Sequence, residues 1–373
     1  MIVLFKGHSV YDSVNTMVDQ FAAAFARQDA KTLILDTRAA DCVPTVVRLV
    51  REKRVRLFFS LNGFGIPAQG QGAGFYAESP APVVIYFVDH PAFHYPSILV
   101  PLPRLLVTFP TAHYVDFCRR HIRNDIAVHH LPHATAATDA APWKDRELPI
   151  FLSASVMADP EPFRVAWAQH GAAVAAQLNA IVEAHLADPI KPLHEQIVPV
   201  LGYEPPVEVL ASYFITVDTY IRSRIKHELI GAITHLPLTV CGNGWERLAQ
   251  RDAIAARFLA PVPAPETIGM MRRAKLVLNP LPPYMESHER PLQAMVNGTV
   301  AANGPSGWMK QAFPGAYLDL PADPHAAAAA IETALDDDDA LETIARTGTE
   351  TCRAAHLWDH RAQDILRLSE EQS

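Results

Sequence analysis

The chain has 373 residues, 49% hydrophobic and 19% charged, with 32 basic and 40 acidic side chains and a formal charge of −8. That length predicts two domains at roughly 100–200 residues each, and the apolar content excludes collagen-like, coiled-coil and disordered chains. The acidic balance, with no basic stripe, argues against nucleic acid as a partner. No apolar run approaches the ~18 residues that span a bilayer, and the opening Met1–Gly7 is too short for a secretory signal. Cys42, Cys118, Cys241 and Cys352 lie far apart with no CxxC spacing, which reads as small buried hydrophobes in a reducing compartment. The expected location is the cytoplasm. Proline stands out at 31 residues, about 8% against a usual ~5%, a sign of many loops around short elements.

In chain order, short apolar runs at 2–5, 32–35, 57–60, 83–88, 105–109 and 126–129 predict strands, with helical patterns such as 14–27 between them. Continuous runs such as Val83-Val84-Ile85-Tyr86-Phe87-Val88 fit strands buried on both faces, as in a parallel sheet between helical layers. These elements predict a first Rossmann-like domain over 1–135. A polar stretch near 135–146 reads as a linker, and a second such domain is expected over 148–350. Its strands fall at 149–152, 238–241, 257–260, 275–279, 299–302 and 316–320, with a helical insertion at about 160–234 read as helices 161–186, 191–201 and 207–234. Helical patterns at 324–335 and 341–368 close the chain, and 351–373 is expected to pack back on the first domain. The Asp336–Asp339 run reads as a solvated loop between helices.

Ligands of open α/β sheets bind beyond the carboxyl ends of strands, so those ends hold the candidates. The first, Gly7-His8-Ser9-Val10-Tyr11-Asp12, has one glycine and so lacks the GxGxxG pattern of dinucleotide binding. The third, Ser60-Leu61-Asn62-Gly63, is polar. The fourth runs into Asp89-His90-Pro91, where either ionisable group could take a proton from an acceptor hydroxyl; the alternative is that Asp89 caps a turn and His90 packs. His129, His130 and His133 straddle a strand end without a carboxylate or cysteine at ligand spacing, so packing is expected there rather than a metal.

The densest polar stretch runs from Asn279 through Glu286-Ser287-His288-Glu289-Arg290 into Pro291-Leu292-Gln293-Ala294-Met295-Val296-Asn297-Gly298. It predicts strand, proline-rich loop and a short helix with Pro291 first and Gly298 at the C-terminal cap. The helix N-terminus and Arg290 would suit a diphosphate, and Glu286, Glu289 and Gln293 sugar or ribose hydroxyls. Gly242-Asn243-Gly244-Trp245 follows a strand with glycines that would let backbone approach a ligand, and the loop reaching Pro265 and Glu266 could cover a nucleobase.

These last segments resemble the donor-binding half of GT-B glycosyltransferases, particularly the CgeB-like bacterial group among the "glycosyl transferases group 1". The matching residues are Gly242-Asn243-Gly244-Trp245, Leu278-Asn279 and Arg290 through Gly298, over about 238–304; Gly7 through Asp12 is similar to an opening seen in some relatives. The resemblance implies two Rossmann-like domains facing a central cleft and transfer of a sugar from a nucleotide diphosphate sugar to an acceptor hydroxyl on a surface glycan, lipid-linked glycan or protein. It implies Asn243, Gly244, Pro265, Glu266, Asn279, Glu286, Ser287, His288, Glu289, Arg290 and Gln293 on the donor side. His90 and Asp89 would be catalytic, with Ser9, Tyr11 and Asn62 on the acceptor side. No metal or other cofactor is expected, and peripheral association with the inner face of the membrane is a further expectation. Gln293 stands where the family usually has glutamate, which removes a charge-assisted hydrogen bond to the ribose. A nucleotide-sugar epimerase of the same fold, or a non-catalytic saccharide-binding or assembly protein, is the alternative.

Overall fold

The computed structural model describes residues 1–67, 72–156, 159–251 and 254–372. They form two compact units, one of residues 1–136 with 356–373 and one of residues 137–355.

The first unit holds strands β1 (Ile2–Lys6), β2 (Thr32–Asp36), β3 (Leu57–Leu61), β4 (Val83–Tyr86), β5 (Leu105–Phe109) and β6 (Ala127–His130), in the order β2-β1-β3-β4-β5-β6. All pairs are parallel. Successive side chains leave opposite faces of a strand, and here both faces are buried. Val3, Phe5, Phe58, Ile85 and Val107 enter one apolar cluster, while Ile2, Leu4, Phe59, Tyr86 and Leu106 enter another. That two-sided burial explains why the strands read as continuous apolar runs rather than alternating ones. The last helix, Trp358–Glu370, completes the second cluster: the Trp358 ring lies 4.4 Å from Phe21, and its Nε1 donates to Gln20 at 2.8 Å.

The second unit holds β7 (Leu148–Ser153), β8 (Leu238–Cys241), β9 (Arg257–Leu259), β10 (Ala274–Asn279), β11 (Val300–Asn303) and β12 (Leu318–Asp319), in the order β12-β11-β10-β7-β8-β9 and again all parallel. Read from β9, this is the doubly wound order 3-2-1-4-5-6, whose connections reverse direction between β7 and β10. In the first unit the reversal falls between β1 and β3. Helices Pro160–Ala166, Ala172–Ala187, Leu193–Leu201 and Val207–Ala232 lie between β7 and β8. Arg146, 6% exposed, ties the lower edge of the sheet: its guanidinium donates to the carbonyls of Ala274 and Asn297 and to Thr299 Oγ1, at 2.8, 2.7 and 2.5 Å. Burial, with the charge of Arg272 adding to it, pushes its pKa down to about 10.

Both expected Rossmann-like domains are present, and each of the twelve predicted strands has its counterpart. Two long helical readings are corrected. The helix expected over 161–186 breaks at Gly171, whose φ of +98° ends one piece and starts the next. The pattern over 341–368 is two helices, Asp338–Ala355 and Trp358–Glu370, because Leu357 is extended and bridges Thr135. Asp338 opens the first of these and binds Lys275 Nζ at 2.5 Å and Trp143 Nε1 at 3.0 Å, so it is an anchor rather than a loop residue. All four cysteines are buried thiols. Among the described residues no helix is long and apolar enough to cross a membrane.

Truncating Trp358 opens a cavity beside Phe21 in the first unit. Trp358→Ala should destabilise that unit by about 3–5 kcal/mol, measured by urea unfolding followed through fluorescence.

Candidate active site

In the first unit the candidates lie at the carboxyl ends of β1, β3 and β4, beside the reversal of strand order. Asn62 closes β3 in the left-handed region, with φ +51°. Its Oδ1 accepts from the Val88 amide at 2.9 Å and its Nδ2 donates to Asp89 Oδ2 at 3.1 Å, which holds the Asp89 carboxylate beyond the end of β4. His94 Nε2 stands 3.7 Å from the same oxygen. Asp89 keeps 41% of its side chain exposed.

His90 does not have that access. It is fully buried, with its ring edge-on to Tyr114 and Phe117 at 4.6 Å each, and its Nδ1 accepts from the Ala92 amide at 3.1 Å. The catalytic reading of His90 is therefore corrected: the imidazole is an aromatic-packed cap for the turn at Pro91. Ser9 Oγ accepts from the Val14 amide at 2.9 Å and so starts the helix Ser13–Arg27. Tyr11 and Asp12 both sit at positive φ, +51° and +59°. Two consecutive non-glycine residues there are strained. The Tyr11 side chain is 42% exposed beyond β1, while Asp12 Oδ1 accepts from Asn15 Nδ2 at 2.7 Å.

In the second unit the donor candidates converge where strand order reverses between β7 and β10. The helix there is Glu289–Val296, capped by His288, whose Nδ1 accepts from the Arg290 amide at 3.2 Å. Pro291 is thus the third helical residue and not the first, a position that still lacks an intrahelical acceptor for an N–H. The other end matches the sequence reading. Gly298, at φ +74°, and Thr299 return their amides to Met295 and Ala294 at 2.9 and 3.0 Å, closing a Schellman motif. A Cβ on Gly298 would meet Arg146 Nη2 at 2.8 Å.

Asn279 is 3% exposed, and both ends of its amide are engaged. Its Nδ2 donates to Asn303 Oδ1 at 2.6 Å, and its Oδ1 accepts from Arg290 Nη1 at 2.7 Å. It thereby positions Arg290 beyond the end of β10. Arg290 is half-buried, and burial lowers its pKa, opposed by Glu289. Glu286, half-buried on the same loop, has its carboxyl pushed up by desolvation, and its carbonyl accepts from Ser306 Oγ at 2.9 Å. Ser287 is buried, and His288 Nε2 lies 3.4 Å from Glu289 Oε2. Glu289 and Gln293, four residues apart, share one face of the helix.

The glycines after β8 also answer to a packing demand of the unit itself. A Cβ on Gly242 or Gly244 would lie 2.1 Å from the Ala154 or Val156 carbonyl oxygen. These glycines let the segment after β8 lie against the one after β7, where the Val156 amide donates to Asn243 O at 2.9 Å and the Asn243 amide to Ser155 Oγ at 3.1 Å. Trp245 is buried and donates to Ala154 O at 2.8 Å. Pro265 and Glu266 lie not in a loop but in the exposed first turn of helix Ala264–Arg272.

Three residues that sequence reading passed over complete the site, all on helix Val207–Ala232. Asp218 is 1% exposed; it accepts from the Tyr284 hydroxyl at 2.7 Å and pairs with Arg222 Nε at 2.8 Å. Lys226 Nζ reaches Ser155 O, beyond β7, at 3.3 Å. Burial, then the Arg290 and Arg222 guanidinium groups, push the Lys226 ammonium down to about 7, with Asp218 opposing. The available signal was a charge every four residues, Asp218, Arg222 and Lys226, on a helix that buries Val217 and Ile221. Among the described residues no group of three or more His, Cys, Asp or Glu is arranged to hold a metal ion.

Residues 222–367 match a protein family described as "Glycosyl transferase-like". Solved structures match over the whole chain. Sucrose-phosphate synthase from Thermosynechococcus elongatus is 13% identical, with a TM-score of 0.60 and coverage of 99% of this chain and 98% of that one. A glycosyltransferase from Rickettsia africae is 9% identical at TM-score 0.56, covering 100% and 98%. HepE of Anabaena, solved in complex with UDP and glucose, is 11% identical at TM-score 0.53, covering 99% of each. The fold is GT-B. No curated protein matches the chain. Within the GT-B fold, Arg222, Lys226 and Arg290 all lie in the segment that carries the family match.

A lysine that is neutral above about 7 when folded, but only above about 10.4 when unfolded, leaves the unfolded chain with the extra proton between those values. Stability of the ligand-free protein should therefore rise with pH across that window. Lys226→Met should flatten the rise and be the more stable form at about pH 6, read from melting temperatures across the range.

Proposed function

We propose that the chain is a glycosyltransferase that moves a sugar from a nucleoside diphosphate sugar to an acceptor hydroxyl. The observation that carries this reading is the excess of positive charge at the reversal point of the second sheet. Arg222 and Arg290 both act on Lys226 there, with Asp218 as a buried counter-charge and Glu289 beside Arg290. A leaving diphosphate supplies the missing negative charge, and preorganised cations in a partly dry site stabilise it as the bond to the sugar breaks.

In this reading the C1–oxygen bond to the diphosphate breaks and the acceptor oxygen bonds to C1. The acceptor proton passes to Asp89, held in place by Asn62, with Tyr11 and the Ser9 turn on the acceptor side. Glu289 and Gln293 offer hydrogen bonds to ribose hydroxyls, and Glu286, with its raised pKa, to the sugar. Asn243, Gly244, Pro265 and Glu266 border the nucleotide. UDP is the proposed nucleotide, supported by its presence in the HepE structure of the same fold. The proposed chemistry is metal-independent, with side-chain cations in the role a metal would fill. Membership of the CgeB-like group, a surface-glycan, lipid-linked or protein acceptor, and work in the cytoplasm at the inner membrane face belong to the same proposal.

Calorimetry against UDP-, GDP-, dTDP- and CMP-sugars should show one saturable donor, and no binding to any would overturn the reading. Arg290→Ala should lower transfer or donor hydrolysis by about 10²–10³-fold, the scale of losing one charge-stabilising donor. Full activity in EDTA is expected, and loss of activity there would refute metal independence. Asp89→Asn should cut transfer by about 10²-fold or more while donor affinity stays unchanged, which separates the acceptor role from donor binding.

A further inference from the structure

We propose, on the donor reading above, that Asn303 is a positioning residue for the diphosphate of a UDP-sugar. Acting through Asn279, it fixes the direction in which the Arg290 guanidinium is held. Asn279 and Asn303 close β10 and β11 and stand opposite one another in the register of that parallel pair. Both are buried, at 3% and 5% exposure. The backbone carbonyl of each is engaged, by the Leu281 amide at 3.0 Å and the Leu320 amide at 2.8 Å. Their side chains carry a line of hydrogen bonds. Asn303 Nδ2 donates to Gly304 O at 2.7 Å, Asn279 Nδ2 to Asn303 Oδ1 at 2.6 Å, and Arg290 Nη1 to Asn279 Oδ1 at 2.7 Å.

The ends of that line leave the amides no choice of direction. A carbonyl oxygen only accepts and a guanidinium only donates. Turning Asn303 over would set its Oδ1 against Gly304 O, and turning Asn279 over would set its Nδ2 against Arg290 Nη1. Either reversal faces like groups across a buried contact and leaves them unsatisfied. The polarity fixed at the Gly304 carbonyl is therefore passed through two neutral side chains to Arg290. No carboxylate lies on the line, so nothing along it offsets the guanidinium charge. Nε and Nη2 of Arg290 hydrogen-bond to no described residue, which leaves the rest of the fork for phosphate oxygens.

The test measures binding to the full chain, by calorimetry, of UDP and of uridine, which keeps the base and ribose and lacks the diphosphate. Asn303→Leu removes both ends of the amide. UDP should then bind about tenfold more weakly, the scale of one hydrogen bond to a charged group, and uridine as it does to the wild type. Asn303→Asp adds a graded readout. When protonated, its carboxyl donates to Gly304 O and accepts from Asn279, as the amide does. When ionised, it sets a second acceptor against that carbonyl and puts a negative charge on the line. Burial raises the pKa of such a carboxyl, so UDP affinity relative to wild type should be retained at about pH 5 and fall by about pH 8. Comparison with the wild type at each pH removes the titration of Lys226. UDP binding unaffected by Asn303→Leu, or uridine binding weakened as much as UDP binding, would overturn the proposal and leave the donor reading intact. So would an Asn303→Asp deficit that does not change with pH. Failure of the wild type to bind UDP would overturn the UDP reading and this proposal with it.

Discussion

Unbalanced charge at the mouth of the second sheet governs how its surroundings are built. Asp218 is used twice, by the Tyr284 hydroxyl and by Arg222. Arg290 is held by the amide of Asn279, and Lys226 by a backbone carbonyl. For Arg290 and Lys226 these neutral oxygens fix the group in place without cancelling its charge, as the Asp218 carboxylate does for Arg222. The Asn303–Asn279–Arg290 relay links β11, β10 and the following helix in one hydrogen-bonded line. Rigidity and net charge are thereby obtained together, and electrostatic stabilisation of a leaving group needs both.

Much of the fold was legible because a strand buried on both faces announces itself locally. Val83–Tyr86 needs no knowledge of its neighbours to be read as such. What was not legible depends on tertiary contact. Lys226 gains its meaning from Ser155, 71 residues away. The Asp89-His90-Pro91 turn reads alike whether it serves chemistry or packing, and only Tyr114 and Phe117 on the imidazole decide for His90. The Gly-Asn-Gly-Trp segment was found as a motif, but its glycines answer to the carbonyls of Ala154 and Val156. Helix breaks at Gly171 and Leu357 were hidden because an apolar pattern can continue across a turn that backbone geometry interrupts.

Two clusters within the proline excess have identifiable roles. In Pro261–Pro265 the residues limit the loop and enter the first turn of a helix, where the missing N–H costs nothing. Pro280 and Pro283 stand between Asn279 and Glu286, and they also wall an apolar cavity beside His185. One stiff segment thus borders both the cationic site and the apolar pocket, with Tyr284 contacting Asp218 by its hydroxyl and His185 by its ring.

The pairing of Thr135 with Leu357 marks where the chain leaves the first unit and where it comes back. In covalent order the second unit is therefore an insertion within the first. The Phe21 cluster needs Trp358, Ala362, Ile365 and Leu368, which a ribosome makes only after the whole of the second unit. During synthesis the second unit has all of its residues before the first has its full core.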